Sequence, residues 1–160
     1  MNPNFNIKTN KRWFYPLVLI LMVLGVGMIS LTLIAKMNHL DVVTFVKSFN
    51  TPEVTVEELS QKDLKSVIFI DVRSPEEYEE DHIPNSILVP ITEIEQGKGI
   101  EKIQEIAKTY SISPVEKPTL ILYCQLGPRS IKAYQKLEKT GLNLVVLQGG
   151  MTAWRKHFKL

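Results

Sequence analysis

The stretch TLILYCQLGPRSIKAY, residues 119–134, decides the fold. It opens with the apolar run TLILYC, passes Cys124 into a short turn holding Gly127 and Pro128, and then sets Ile131 and Tyr134 at helical spacing, a stripe that Leu137 continues just beyond it. A nearly continuous apolar run reads as a strand covered on both faces, and such strands belong to parallel sheets. Working outward, VIFID at 67–71, SILVP at 86–90 and LVVLQ at 144–148 repeat the theme, with helical patterns between them. The expected fold class is therefore α/β, with a mostly parallel central sheet flanked by helices on both faces.

The helices carry their own start signals. Thr55-x-x-Glu58, Ser74-Pro75-Glu76-Glu77, Thr92-x-x-Glu95 and Ser113-Pro114-x-Glu116 each have the form of a capping box, in which a hydroxyl and a carboxylate take up orphan N–H groups. Ile100, Ile103, Ile106, Ala107 and Tyr110 make a core-facing stripe, and Gly141 is placed to end the helix that carries Ile131, Tyr134 and Leu137.

Charge is unevenly distributed. Residues 1–50 hold five Lys/Arg against Asp41 alone, a net of +4, and the 14 basic and 16 acidic residues of 51–160 leave that part at −2. No basic stripe with interleaved aromatics is present, which argues against a nucleic-acid partner. A single cysteine forms no intramolecular disulfide, and His39, His82 and His157 stand too far apart to suggest a metal site.

Between Arg12 and Lys36 lie 23 uncharged residues, WFYPLVLILMVLGVGMISLTLIA, which as a helix span about 34 Å, enough for a bilayer core. A cleaved signal peptide is the alternative, but its apolar region runs to roughly 7–15 residues and ends at small residues, whereas Ala35 leads into Lys36 and Met37. Trp13, Phe14 and Tyr15 suit the interface, and Pro16 falls in the first turn. Lys8, Lys11 and Arg12 precede the span and only Lys36 lies close behind it, so the positive-inside rule puts the N-terminus in the cytoplasm. The expected organisation is a cytoplasmic tail at 1–12, a transmembrane helix at 13–35, a juxtamembrane connector at 36–52, and an extracytoplasmic folded domain at 53–160.

The loop after TLILY sets the chemical question. A strand ending in Cys124 and turning directly into a helix brings backbone N–H groups and a helix N-terminus together, a geometry that binds anions. With the Arg129 guanidinium nearby it also favours a thiolate, the form of cysteine that attacks. The competing reading is a small, buried cysteine that merely packs.

At this point the residues resemble a known family, the rhodanese-like sulfurtransferase domains. YCQLGPRS matches the family's Cys-x-x-Gly-x-Arg-Ser loop at Cys124, Gly127, Arg129 and Ser130. DVRSPEEYEEDHIPNSILVP, from Asp71, resembles its Asp-Val-Arg-x-x-x-Glu-Tyr…His-Ile-Pro segment, and LQGGMTAW, ending at Trp154, is similar to its Gly-Gly-x-x-x-Trp close. The resemblance covers about residues 53–158. It implies that Cys124 takes sulfane sulfur from a small anion such as thiosulfate or a polysulfide, holds it as a persulfide, and passes it to a thiol or a protein acceptor. Cys124 and Arg129 are then the catalytic pair. Gln125, Leu126, Gly127, Pro128 and Ser130 form the substrate cradle with Arg73 at its rim, and no cofactor or metal is implied. Pro128 takes one N–H out of the cradle, and Gln125 and Leu126 leave the loop neutral apart from Arg129.

Asp71, Arg73, Glu77 and His82 read chiefly as structural: Glu77 closes a capping box and is placed to pair with Arg73, and His82 to bond backbone near Ile83. Trp154 is expected to pack the last helix on the sheet. Two rival functions stand beside sulfur transfer. One is a Cys-dependent phosphatase or arsenate reductase, whose loop is spaced Cys-x5-Arg, whereas Cys124 and Arg129 enclose four residues. The other is a membrane-tethered binding module in which Cys124 does no chemistry.

Overall fold

The computed structural model describes residues 14–37, 42–61, 67–111 and 117–159. The chain divides into an N-terminal unit ending at Val42 and a second unit, Val43–Leu160. The first is built on one helix, α1, Phe14–Met37, whose large apolar side chains from Leu19 to Ile34 are mostly exposed. Its stretch Leu19–Met37 is long and apolar enough, by length and composition, to cross a membrane, a test that a signal sequence near an N-terminus also passes.

In chain order the rest comprises α2 (Val42–Ser48), β1 (Glu53–Val54), α3 (Val56–Ser60), β2 (Val67–Asp71), α4 (Pro75–Glu80), β3 (Ile87–Leu88), α5 (Ile91–Glu95), α6 (Lys98–Thr109), β4 (Thr119–Tyr123), α7 (Pro128–Leu137), a 3-10 turn (Glu138–Thr140), β5 (Asn143–Leu147) and α8 (Gly150–Phe158). The five strands form one parallel sheet in the order β1-β5-β4-β2-β3. The expected α/β architecture is the observed one.

Alternation along the strands sorts the core onto the two faces. Phe69, Ile121, Tyr123 and Leu147 pack with Val56 and Leu59 of α3 and Met151 of α8. Trp154 closes that cluster, its ring edge-on to Phe69 at 5.5 Å and 70°, as expected for the last helix. Residues of opposite parity, Ile70, Leu120, Leu122 and Val146, are buried with Ile94 of α5, Ile103 of α6 and Ala133 and Leu137 of α7. Layers on both sides explain why the strands read as unbroken apolar runs.

Several details differ from expectation. β1 is two residues long and follows Pro52 directly, too short to leave a periodic signal. SILVP forms a strand only at Ile87–Leu88, because this edge has one neighbour and Pro90 begins α5. Thr92 lies inside α5 and caps nothing, since Pro90 takes the N-cap position without a side-chain bond. Thr55 and Ser74 do form capping boxes with Glu58 and Glu77. Ser113 lies outside the described residues. In α6, Ile103 and Ala107 are buried while Tyr110, at the helix end, is exposed. Gly141, at φ 71°, ends the 3-10 turn that extends α7.

Candidate active site

The register of β4 against β2 sets Tyr123 opposite Asp71, so the C-terminal ends of the central strands open onto one edge of the sheet. Ligand sites in open α/β sheets lie at that edge. Cys124 is the first residue past β4, and it is 1% exposed. Its Sγ accepts the Gly127 N–H at 3.1 Å and lies 3.8 Å from the Ser130 hydroxyl, which donates to the Gly127 carbonyl at 2.7 Å. Gly127 sits at φ 130°, ψ −39°, a conformation only glycine adopts without strain, and this conformation turns its N–H back toward the sulfur. Pro128 follows at the first position of α7, where a ring with fixed φ suits the helix and no intrahelical bond is lost.

The loop is held from behind by α8. Met151 N–H donates to the Cys124 carbonyl at 2.8 Å, and Thr152 donates to the Gln125 carbonyl through both its N–H (3.1 Å) and its hydroxyl (3.0 Å). Orphan donors of a helix N-terminus are thus spent on the carbonyls of the loop. So close an approach needs the Gly149-Gly150 pair. A Cβ at Gly150, which has φ 54°, would strike the Cys124 carbonyl.

A frame of charges braces the loop. Arg129 donates to both oxygens of Glu77, at 2.6 and 2.7 Å. That hydrogen bond from Arg129 is the main reason the Glu77 carboxyl is held at about 2. In return Glu77 raises the guanidinium, with a smaller contribution from Cys124. Glu77 also accepts the Ser74 N–H that completes the capping box, so α4 is tied to α7 through one carboxylate.

Arg73, expected at the rim, is 1% exposed and lies under the loop. It grips Asp71 through Nε and Nη2, donates to the Asp81 carbonyl at 2.6 Å, and reaches Gln125 Oε1 at 3.4 Å. Its partner is thus Asp71, while Glu77, expected to meet Arg73, is taken by Arg129. Asp81 also receives Arg155 of α8 at 2.7 Å on each oxygen. His82 stacks on Tyr78 and its Nδ1 lies 2.9 Å from the Tyr78 carbonyl, a structural place of the kind expected but one turn earlier.

Three further contributors, Thr152, Asp81 and Arg155, have no local signal that marks them. The two charged ones look like ordinary surface charges in EEDH and WRKH until the fold brings them together. Beneath the loop the Tyr123 hydroxyl accepts the Ile83 N–H at 3.2 Å and lies 2.8 Å from Ser86 Oγ, and burial raises its phenol above the usual value. Leu126, by contrast, is 54% exposed at the crown of the loop. Among the described residues no group of His, Cys, Asp and Glu is arranged to hold a metal ion.

Comparison with known proteins agrees with this geometry. The family model of the rhodanese-like domain matches residues 51–157. An uncharacterised 16.5 kDa protein from Synechococcus elongatus is 33% identical over 104 residues, 63% of this chain, and the chain spans 64% of that protein's length. A sulfurtransferase from Allochromatium vinosum is 31% identical over 108 residues, covering 66% of this chain and 89% of the relative. The crystal structure of a thiosulfate sulfurtransferase from Pseudomonas aeruginosa superposes with a TM-score of 0.57 at 24% identity, over 72% of this chain and 21% of that one, a likeness of fold. With the family's pattern matched across the whole sheet and its loop, the chain belongs to the rhodanese-like domain family.

Proposed function

We propose that this protein is a membrane-anchored sulfurtransferase that carries sulfane sulfur as a persulfide on Cys124 and passes it to a thiol or other nucleophilic acceptor. The observation that carries the reading is the Gly127 N–H aimed at Cys124 Sγ at 3.1 Å, in a loop that turns directly into α7. A donor facing the sulfur stabilises negative charge there, both on the attacking thiolate and on a bound persulfide. Arg129, anchored by Glu77, adds positive charge beside the loop. Ser130 fixes the Gly127 carbonyl and so the direction of the Gly127 N–H. Gln125, Leu126, Gly127, Pro128 and Ser130 form the donor's surroundings, and Arg73 acts from below by steadying Gln125.

Transfer runs in two displacements. The Cys124 thiolate attacks the outer sulfur of the donor, a new S–S bond forms at Sγ, and the donor's remainder leaves with the electron pair of the broken bond. An acceptor nucleophile then takes the outer sulfur and regenerates the thiolate. Cys124 is the chain's one cysteine, so discharge needs an external acceptor.

The anchor in this reading is α1, with Lys8, Lys11 and Arg12 holding the N-terminus in the cytoplasm and the rhodanese-like domain outside. Thiocyanate formation from cyanide and a sulfane donor by the full chain, lost in Cys124→Ser, tests the chemistry. Protease protection in sealed vesicles of known orientation tests the topology. No turnover by the wild type, or equal turnover by the variant, would reject Cys124 as the carrier.

A further inference from the structure

Among the described residues of Val43–Leu160, six large apolar side chains are exposed. Three of the six, Val43, Val46 and Phe49, fall within seven residues at 49–74% exposure, whereas Tyr110, Leu126 and Phe158 are scattered. At about 100° per residue the three share one side of α2 and the turn that follows it, and Thr44, Phe45 and Ser48 on the other side are buried or half-buried. The Gln135 side chain donates to the Thr44 carbonyl at 3.2 Å, which ties α2 to α7, and the Phe45 ring meets Phe49 edge-on at 5.2 Å.

Positive charge lies beside this stripe. Lys132, Lys136 and Lys139 fall within about 60° of one another around α7 and its 3-10 extension, next to Gln135 and opposite the buried Ala133 and Leu137. Among the described residues none of the three is paired with a carboxylate. Single exposed apolar side chains are ordinary, but an apolar stripe flanked by unpaired lysines is the pattern of a surface that lies on an anionic bilayer.

The connection to α1 argues for that occupant. α2 begins five residues after Met37, the end of α1, and five residues reach at most about 18 Å. With α1 in the membrane, α2 therefore stays near the headgroups, and so short a tether supplies an effective concentration on the order of millimolar. A face too small to hold a free protein on a membrane is enough to keep a tethered one docked.

We propose that Val43, Val46 and Phe49, with Lys132, Lys136 and Lys139, form one docking face that lies on anionic phospholipid headgroups. The inference rests on the reading of α1 as a membrane anchor. The apolar stripe enters the headgroup layer, the lysines meet phosphate, and the rhodanese-like domain is held in one orientation to the bilayer.

The test uses the full chain in vesicles of phosphatidylcholine and phosphatidylglycerol in equal parts, with Cys124→Ser removing the native thiol. Asn50→Cys then carries an environment-sensitive fluorophore beside Phe49, and in a second preparation Lys156→Cys carries it on α8, across the sheet from α7. Spin-labelled lipid should quench the label at position 50 at least about threefold more than the label at position 156. Val46→Ser with Phe49→Ser should bring the two labels within about twofold of each other. Lys132→Gln, Lys136→Gln and Lys139→Gln together should weaken quenching at position 50 and remove its preference for these vesicles over phosphatidylcholine alone. All the substituted side chains are exposed or half-buried, so the fold is expected to survive.

Equal quenching at both positions, in a chain that alkaline carbonate does not extract, would overturn the docking face and leave the anchor standing. Quenching at position 50 that neither set of substitutions changes would mean that the tether alone brings it to the lipid, and would also overturn the proposal. A label shielded from water but insensitive to the lipid quencher would put a second copy or another protein on the face, with the same result. A chain that carbonate extracts is not anchored by α1, and the inference falls with that reading.

Discussion

The Met151 N–H donates to the Cys124 carbonyl at 2.8 Å, so the start of the last helix fixes the backbone of Cys124. The contact explains a glycine pair that would otherwise be a poor way to begin a helix. Gly149 and Gly150 both have positive φ, and Gly150 lies against the Cys124 carbonyl with no room for a side chain. Gly150→Ala should cost ~2 kcal/mol or more, from strain at φ 54° and from displacement of the loop. Thermal melting would register the loss, and sulfur loading of Cys124 should fall further than the melting temperature alone accounts for. Unchanged loading would show that the loop does not depend on α8.

Ser130 is buried, and its hydroxyl bonds the Gly127 carbonyl while lying 3.8 Å from Cys124 Sγ. Ser130→Ala should destabilise by about 1 kcal/mol, the usual net worth of one such bond. It should also slow sulfur loading by roughly tenfold, because the Gly127 N–H is no longer held in direction. Denaturant melts and loading rates on the same preparation separate the two effects.

Arg73 and Asp71 form a buried pair beneath the loop, with Arg73 also bound to the Asp81 carbonyl. Removing one partner leaves an uncompensated buried charge, so Arg73→Ala should lose ~3–5 kcal/mol, measurable as a shift in the denaturant midpoint. Arg73→Lys cannot reproduce the two-pronged grip on Asp71 and should recover only part of the loss.

Acid stability follows from Glu77. Its carboxyl is depressed from 4.5 to about 2, chiefly by the hydrogen bond from Arg129. A folded-state value below the unfolded one means that the pair's contribution is fully present above about pH 4.5 and is lost as pH falls toward 2. Melting temperature recorded from pH 6 to 2.5 should therefore fall more steeply for wild type than for Glu77→Gln, which has no carboxylate at this position to protonate. Parallel curves would mean that the pair contributes nothing to stability.

How much of this was legible in the sequence depends on the range of the interactions. The apolar runs at 67–71, 119–124 and 144–148 and the capping boxes at Thr55 and Ser74 are local patterns, and they appear as expected. β1 is too short to leave a pattern, and Thr92 satisfies the capping-box spelling in a place where Pro90 already starts the helix. At the site, strand, loop and helix could be read from TLILYCQLGPRS because they are consecutive. The pairing of Glu77 with Arg129 and of Asp81 with Arg155 could not, since 52 and 74 residues separate the partners and each acidic residue sits among others of like charge. Arg73, read chiefly as structural with a place at the cradle's rim, is buried because its acceptors lie close in sequence, Asp71 two residues before it and the Asp81 carbonyl eight after it.

The central claim is that Cys124 carries sulfur, and intact mass of the full chain with and without benzenethiosulfonate, beside Cys124→Ser, addresses it most directly. The account predicts a gain of about 32 Da that cyanide removes and that Cys124→Ser never shows. A wild-type mass unchanged by the donor, or an equal gain in Cys124→Ser, would contradict it.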